Sequence, residues 1–186
     1  ILPVLWVTII IGCRHHSTKE KSPPQKKIAT EVPVVNVKLL PLGKTSSRFV
    51  NTVYADLKKV LNSVELLPHE EMPRSAYYAP RKRYRADTLI YWMSERANDK
   101  EVYIGITMQD ISTTKGSNPD HGVMGLGFQP GNACVASDFR LRNKNNFFKV
   151  VIHELGHTAG LPHCPEKICF MRDAEGGDPT GEEKEF

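Results

Sequence analysis

The stretch between His153 and His163 constrains this chain more than any other part of its sequence. It reads His-Glu-Leu-Gly-His-Thr-Ala-Gly-Leu-Pro-His. Residues four apart on a helix lie on one face, so the imidazoles of His153 and His157 can reach the same metal ion. Gly160 can adopt a positive φ angle and end that helix, after which the chain turns back and His163 can supply a third nitrogen. The stretch therefore predicts a metal site built on the end of a helix.

The number of ligands indicates what such a site would do. Three protein ligands leave one coordination position open, which distinguishes a catalytic zinc site from a closed structural one. Zinc lowers the pKa of a bound water to about 7, and Glu154 is placed to take its proton as the water attacks a polarised peptide carbonyl. We therefore expect a zinc-dependent peptidase with Glu154 as general base. The alternative is a non-catalytic protein that holds zinc and captures peptides or proteins, which the intact Glu154 disfavours.

The spacing of apolar residues predicts three helices and five strands. The first helix is capped by Thr45 or Ser46 and has apolar positions from Phe49 to Leu61, the second covers residues 86–97, and the third starts at Asn145 or Asn146 and carries the histidine pair. The strands are predicted at residues 34–40, 64–67, 102–107, 123–128 and 133–137. Residues 108–122 are polar and contain glycine, so we expect a long loop there. The alternation predicts an α/β domain with a twisted, mostly parallel sheet.

The N-terminal residues differ in composition from the rest of the chain. Residues 1–12 are almost wholly apolar and are followed by Cys13. Twelve residues are too few to span a bilayer, but they suit the apolar part of a secretory signal. The run Ile10-Ile11-Gly12-Cys13 resembles the lipobox of bacterial lipoproteins, which implies that Cys13 is lipidated. The alternative is an ordinary signal peptide in which Cys13 is incidental.

These features predict a three-part organisation. Residues 1–13 form the signal segment, residues 14–33 form a flexible tether rich in Lys, Pro, Ser, Glu and Gln, and residues 34–186 form the catalytic domain. A lipidated Cys13 would anchor the protein to a membrane of the bacterial cell envelope, on its periplasmic or surface side. The net charge of +4 is mild, and we expect no nucleic-acid partner for an exported protein. We expect a monomer that acts on a peptide or protein substrate.

The histidine-containing stretch resembles the extended zinc motif of the metzincin peptidases, and the residues after it narrow the resemblance. Cys164 follows the third histidine directly, and Cys169 and Met171 form a Cys-x-Met sequence, as in archaemetzincins. The similarity extends to residues 78–87 and 132–137 and covers the whole of residues 34–186. It implies a compact metzincin-like domain that ends in an irregular cysteine-containing segment. It also implies that Met171 lies in a Met-turn beneath the zinc as an apolar floor, and is not a ligand.

The resemblance also implies a second, structural zinc ion. Archaemetzincins complete a four-cysteine site with a Cys-x-x-Cys pair further along the chain. Cys164 and Cys169 would be two of the four ligands here, and we expect the other two beyond Phe186 because no cysteine follows Met171 in the sequence. If that pair is missing, Cys164 and Cys169 could instead form a disulfide in an oxidising compartment.

Three further features have a functional and a plain interpretation. The run from Arg81 to Arg85 could bind an acidic substrate or a lipid headgroup, but a solvated loop face is favoured. Tyr77, Tyr78 and Tyr84 could line a peptide cleft, or simply pack the loop that carries them. Cys134 lies in an apolar strand and is expected to be a buried thiol.

Overall fold

The structure is a computed structural model and describes residues 35–183. The predicted signal segment with Cys13 and the predicted tether lie outside the described residues, and both stay predictions. Within residues 35–183, every helix is too short or too polar to span a bilayer.

Three α-helices form, as the apolar spacing predicts. They are α1 (Ser47–Val60), α2 (Ala86–Ser94) and α3 (Phe147–Thr158). The Ser46 hydroxyl accepts a hydrogen bond from the backbone N–H of Phe49 at 3.2 Å and so caps α1. Asn146 occupies the N-cap position of α3 without making a side-chain cap bond. The second helix ends three residues earlier than predicted, at Ser94.

A five-stranded sheet forms the centre of the domain. In spatial order its strands are β2 (Val64–Leu66), β1 (Asn36–Pro41), β5 (Glu101–Thr107), β9 (Ala133–Ser137) and β8 (Gly125–Gly127). The pairings β1–β2, β1–β5 and β5–β9 are parallel, and only the edge pair β8–β9 is antiparallel. The predicted α/β fold with a mostly parallel sheet is therefore confirmed.

The sheet is buried on both faces, as parallel sheets require. Successive side chains of β9 alternate between the two faces: Cys134 and Ala136 join the core under α1 and α3, whereas Ala133 and Val135 join the core under α2. The thiol of Cys134 is fully buried, as predicted, and this burial raises its pKa well above its ordinary value. Helix α3, which carries the histidine pair, is thus held against the β8–β9 edge of the sheet.

The predicted loop at residues 108–122 is wrong. Those residues form β6 (Ile111–Lys115) and β7 (Asn118–Val123), an antiparallel hairpin that turns at Gly116 with φ +57°. The hairpin belongs to a second sheet with the order β3 (Tyr77–Tyr78), β4 (Arg83–Arg85), β6 and β7. Most residues of β7 are polar or glycine and only partly buried, so the hairpin lacks the apolar alternation by which strands are recognised.

The basic run is solvated only at Arg81 and Lys82, whereas Arg83 and Arg85 depart from the loop face that the sequence favoured. Arg83 lies in β4 with only 12% of its side chain exposed, and its guanidinium faces Asp110 and Asp120. Arg85 pairs with Asp87 at 2.7 Å. The rings of Tyr77 and Tyr84 stack 5.2 Å apart across the β3–β4 pair, so these tyrosines pack against each other.

Leu39 of β1 is fully buried in the core between the sheet and α1, so its replacement tests which residues form the core. We expect Leu39→Ala to lower the free energy of unfolding by about 2–5 kcal/mol, through lost burial and the cavity left behind. Urea denaturation in the presence of a chelator measures this without a contribution from metal binding. Val60→Ala, at an exposed position of α1, is the control, and a comparable loss in both variants would contradict the assignment of the core.

Candidate metal centre

Helix α3 brings two imidazoles to one point. The Nε2 atoms of His153 and His157 lie 3.0 Å apart. His163 joins them after the helix ends, and one nitrogen from each of the three rings lies within 4.8 Å of the other two. His157 is buried, His153 is half-buried and His163 is exposed. The three predicted ligands are therefore grouped as a single cluster at the C-terminal end of α3.

The turn after α3 depends on Gly160. Its φ angle is +88°, and its N–H donates to the carbonyl of His157 at 2.8 Å, while the N–H of Leu161 donates to the carbonyl of Gly156 at 3.0 Å. This pair of bonds is the Schellman arrangement that ends many helices, and it requires a left-handed residue at the position of Gly160. The turn reverses the chain, brings His163 back toward the helix, and aims the carbonyl of Leu161 at His157.

Each histidine has a partner for Nδ1. The Nδ1 of His153 lies 2.7 Å from the carbonyl oxygen of Phe170, and the Nδ1 of His157 lies 2.9 Å from that of Leu161. The Nδ1 of His163 faces Asp173 Oδ2 at 3.6 Å. A carbonyl oxygen can only accept, so Nδ1 of His153 and of His157 carries the proton and Nε2 keeps a free lone pair. Such outer contacts orient the histidines of metal sites.

The cluster fits a zinc ion. With both Nδ1 atoms protonated, neither Nε2 of the neutral pair can donate to the other, so two lone pairs face each other at 3.0 Å. A tetrahedral zinc with nitrogen ligands at 2.0–2.1 Å would place two such nitrogens about 3.3 Å apart. Burial is the main cause that lowers the pKa of His153 to about 4 and also lowers that of His157. Both rings are therefore neutral near pH 7, as metal ligands must be.

Glu154 lies beside the cluster in the space above two glycines of β8. It is buried, and a Cβ atom on Gly125 would lie 2.6 Å from its carboxyl carbon. A Cβ on Gly127 would lie 2.8 Å from the backbone carbonyl oxygen of Glu154. The absence of side chains at these two positions lets α3 approach the edge strand and leaves room for the carboxyl group. Burial raises the pKa of Glu154 to about 8.

Met171 packs under the helix between the two ligands. It is buried, and a Cβ atom on Gly156 would collide with its Sδ atom. Gly156 lies one residue before His157, so this glycine provides the notch that the thioether fills. The thioether of Met171 thus packs against the histidine-bearing turn of α3.

Cys164 and Cys169 lie together next to the cluster. Both thiols are free, and the backbone of Cys164 pairs with the chain around Arg172. Burial is the largest cause of the raised pKa of Cys169, to which the contact with Cys164 adds. The three histidines are the only cluster of three or more potential metal ligands found within residues 35–183. Within the described part of the chain, these two thiols therefore have no third potential metal ligand grouped with them.

A cavity of about 560 Å³ opens beside the three histidines and Glu154. One wall is the continuous segment of residues 121–127, which includes the edge strand β8, and another is the segment of residues 172–180. The cavity is large enough for several residues of a peptide.

Several residues of this site carry no signal in the sequence. The carbonyls of Leu161 and Phe170 act through the backbone, which every residue has, so no pattern singles them out. Asp173 is ten residues from His163 and belongs to no motif. The alternating glycines Gly125 and Gly127 are the one visible sign, because glycine inside a strand marks close approach of another element.

The chain is similar to known peptidases. The model of the family described as Peptidase family M54 matches residues 43–176. An archaemetzincin of Nanoarchaeum equitans is 34% identical over 134 residues, covering 72% of this chain and 75% of that protein. One of Haloquadratum walsbyi is 30% identical over 152 residues, covering 73% and 84%. The crystal structure of an archaemetzincin from Archaeoglobus fulgidus, complexed with malonate, superposes with a TM-score of 0.65 at 26% identity, covering 80% of this chain and 92% of that one.

The burial of Glu154 has a consequence for stability. Burial raises the pKa of Glu154 from 4.5 to about 8 in the zinc-free domain. The unfolded chain therefore loses this proton at a lower pH than the folded domain does. As a result, the free energy of unfolding falls as the pH rises across that range. Glu154→Gln does not titrate. Its free energy of unfolding should therefore increase relative to the wild type by on the order of 4 kcal/mol between pH 4.5 and 8, measured by urea denaturation of chelator-treated protein.

Glu183 provides a matched control for the pH window. Burial raises its pKa from 4.5 to about 6, so the relative gain of Glu183→Gln should be complete slightly above pH 6 and constant from there to about pH 8. A difference between Glu154→Gln and wild type that does not change with pH would contradict the buried, proton-binding state of Glu154.

Proposed function

The chain belongs to peptidase family M54 and is a zinc metallopeptidase, and we propose that Glu154 is the general base of its reaction. The proposed zinc ligands are His153, His157 and His163. One observation carries the proposal: two Nε2 lone pairs face each other at 3.0 Å, beside a buried carboxyl group that opens onto the same cavity. That arrangement combines three imidazole ligands, an open side for water, and a group able to accept a proton.

The side chains divide the work of peptide hydrolysis. Zinc, when bound, polarises the scissile carbonyl and lowers the pKa of the attacking water. Glu154 accepts the proton of that water and can pass it to the leaving amine nitrogen. The carbonyls of Leu161 and Phe170 keep the Nδ1 protons of the two helical ligands in place. The thioether of Met171 and the glycine-lined surface of β8 exclude water from beneath and beside the helix.

The free edge of β8 is the proposed binding site for the substrate backbone. Hydrogen bonds from Ser137 N to Met124 O and from Phe128 N to Ala133 O set the register with β9. Because hydrogen-bonded pairs alternate along antiparallel strands, the backbone groups of Gly125 and Gly127 point to the unpaired edge. A peptide can add there as a further strand, and antiparallel pairing is the more stable of the two directions.

We propose that Cys164 and Cys169 are two ligands of a structural zinc ion, as the family pattern implies. The two thiols are close enough for Cys164 to contribute to the raised pKa of Cys169, and Phe170, the residue after Cys169, supplies its carbonyl to His153. A metal bound there would tie the third ligand and the Met171 turn to one another. A disulfide between the two cysteines is the alternative.

We also propose that residues 1–33 deliver and tether the enzyme. The apolar run before Cys13 and the lipobox-like sequence Ile10-Ile11-Gly12-Cys13 support a lipid anchor in the bacterial cell envelope. The polar, proline-containing residues 14–33 would then separate the catalytic domain from the membrane surface.

The direct test of Glu154 is the variant Glu154→Gln. We expect it to bind one equivalent of zinc at the histidine cluster while its kcat/KM falls about 10²–10⁴-fold, because a positioned general base contributes that much. Turnover of a quenched fluorogenic peptide library and metal content measured by mass spectrometry give the two readouts. A variant with intact zinc and wild-type turnover would exclude Glu154 as the base.

The same library distinguishes a peptidase from a zinc-holding binding protein. Chelator treatment of the wild type should abolish turnover, and added zinc should restore it. Absence of turnover from the zinc-loaded protein would favour the binding protein, and turnover that is insensitive to the chelator would exclude zinc-dependent hydrolysis.

Gly125 offers a second test that leaves the carboxyl group in place. A Cβ atom at Gly125 would overlap the side chain of Glu154, so Gly125→Ala should push the carboxyl group out of position. We expect kcat to fall at least about tenfold while zinc stays bound, and the overlap to lower the thermal midpoint as well. In Gly181→Ala the added Cβ atom meets nothing within 4 Å, and this control should keep full activity. Equal kcat values for the two variants would disprove the positional requirement.

A further inference from the structure

The cavity beside the histidine cluster has walls of opposite charge. Among its described lining residues between positions 113 and 142 there is no acidic side chain, and the charged or basic ones are Lys115, His121, Arg140 and Arg142. The wall formed by residues 172–183 carries Asp173, Asp178 and Glu183, together with Arg172, which pairs with Glu182. A substrate in the cavity therefore lies between a basic and an acidic surface. The surface whose side chains still have free hydrogen-bonding groups is the one that can bind it.

Two of the three acidic side chains of that wall, Asp173 and Asp178, are already engaged within the protein, and the third, Glu183, is buried. Asp178 accepts hydrogen bonds from the backbone N–H of Arg142 at 2.9 Å and from the hydroxyl of Thr180 at 2.6 Å. Asp173 Oδ1 accepts from the backbone N–H of Glu175 at 2.9 Å while Oδ2 faces His163. These carboxylates shape the loop that they belong to, and their lone pairs are largely committed.

Arg140 is different, because it is held firmly and keeps unused donors. Its Nε and Nη2 groups donate to Asp110 at 2.7 and 2.9 Å. That uses two of the five guanidinium N–H groups and leaves three. The guanidinium also covers Gly122, where a Cβ atom would lie 2.6 Å from Nη1. With 34% of its side chain exposed, Arg140 presents a fixed cationic group at the cavity wall.

A partly buried ion network surrounds this guanidinium. Arg83 Nε lies 3.1 Å from Asp110, and Arg83 Nη1 lies 3.5 Å from Asp120. Arg81 approaches Asp120 from outside at 3.8 Å. Three arginines and two aspartates leave the network with a net charge of +1. Buried ion pairs contribute little to stability relative to apolar residues of the same size, whereas they do fix the orientation of the groups they contain.

The position of Arg140 relates it to the reacting centre. Its guanidinium lies on Gly122 and the carboxyl group of Glu154 lies on Gly125, three residues further along the same segment. Three residues of chain span at most about 10 Å, so an extended peptide covers the same distance in about three residues. A peptide that runs antiparallel to this segment has its C-terminal part next to Gly122. Arg140 is thus within reach of the residues that follow the scissile bond.

We propose that Arg140 binds a carboxylate of the peptide substrate at the third residue C-terminal to the scissile bond. The carboxylate is either the side chain of an acidic residue or the C-terminus of the peptide itself, because both present the planar pair of oxygens that a guanidinium pairs with. The inference rests on the proposed function of the histidine cluster, since the position is defined relative to the bond that is cut.

The test uses three quenched peptides that differ only at the third residue after the scissile bond. The first has Glu there and an amidated end, the second has Gln and an amidated end, and the third ends at that Gln with a free carboxylate. We expect zinc-loaded wild type to cleave the first or the third at least tenfold better than the second, mainly through KM. A preference for the first peptide identifies an acidic side chain as the ligand, and a preference for the third identifies the C-terminus.

Variants of Arg140 distinguish a role in binding the substrate carboxylate from a role in folding. Arg140→Met should cleave the carboxylate-bearing peptides no faster than the neutral peptide. Its rate of cleavage of the neutral peptide should equal that of the wild type. Arg140→Lys, which keeps the charge but not the paired donors, should retain a few-fold preference. Arg96→Met is the matched control, because Arg96 pairs with Glu70 in the same two-bond manner at 2.9 and 2.7 Å away from the cavity, and it should behave as wild type.

Binding to zinc-loaded Glu154→Gln protein keeps the test independent of catalysis. Fluorescence anisotropy should show tighter binding of a carboxylate-bearing peptide than of the neutral one, and Arg140→Met in this background should remove the difference. Equal binding of all three peptides, or an equal loss for all three on replacement of Arg140, would overturn the proposal. Absence of cleavage by wild type with this binding preference intact would instead overturn the proposed peptidase function.

Discussion

The close contact between strand β8 and helix α3 determines the geometry of the whole site. Two of the three residues of β8 are glycines, and a side chain at either one would meet Glu154. This contact fixes the distance of the helix from the sheet edge, and with it the positions of both helical ligands. It also leaves the backbone edge of the same glycines open to the cavity. One strand thus positions the proposed base and offers the surface on which a peptide can pair.

The same close packing lowers the stability of the folded domain in the absence of metal. Burial keeps His153 neutral, with a pKa of about 4, and it raises the pKa of Glu154 to about 8. A group whose charge is suppressed by burial lowers the stability of the folded state wherever the unfolded chain would carry that charge. Zinc offsets part of this cost, because a cation favours the neutral histidine and the ionised carboxylate together. The features that suit the site for catalysis therefore couple the stability of the domain to its metal.

The sequence predicted the helices and the parallel strands because each buries apolar residues at a regular period. The ligand cluster was equally predictable, since the spacing of His153 and His157 together with Gly160 determines both the shared helix face and the turn. The β6–β7 hairpin was not predictable in this way, because its strands are stabilised by pairing and by contact with the rest of the domain more than by an apolar face of their own. Arg83 was misjudged for a related reason: its buried environment depends on Asp110 and Asp120, which are distant in the sequence.

The three proposed ligands are held in unequal ways, and this inequality follows from where the chain places them. His153 and His157 lie on one turn of a packed helix, and backbone carbonyls fix both of their Nδ1 atoms. His163 lies beyond the helix with 46% of its side chain exposed, facing Asp173, which is 48% exposed. Solvent screens an exposed pair of this kind and leaves it weak, whereas a backbone carbonyl moves only with its segment. The helical pair is therefore the preorganised part of the site, and completing the coordination sphere requires ordering of His163 alone.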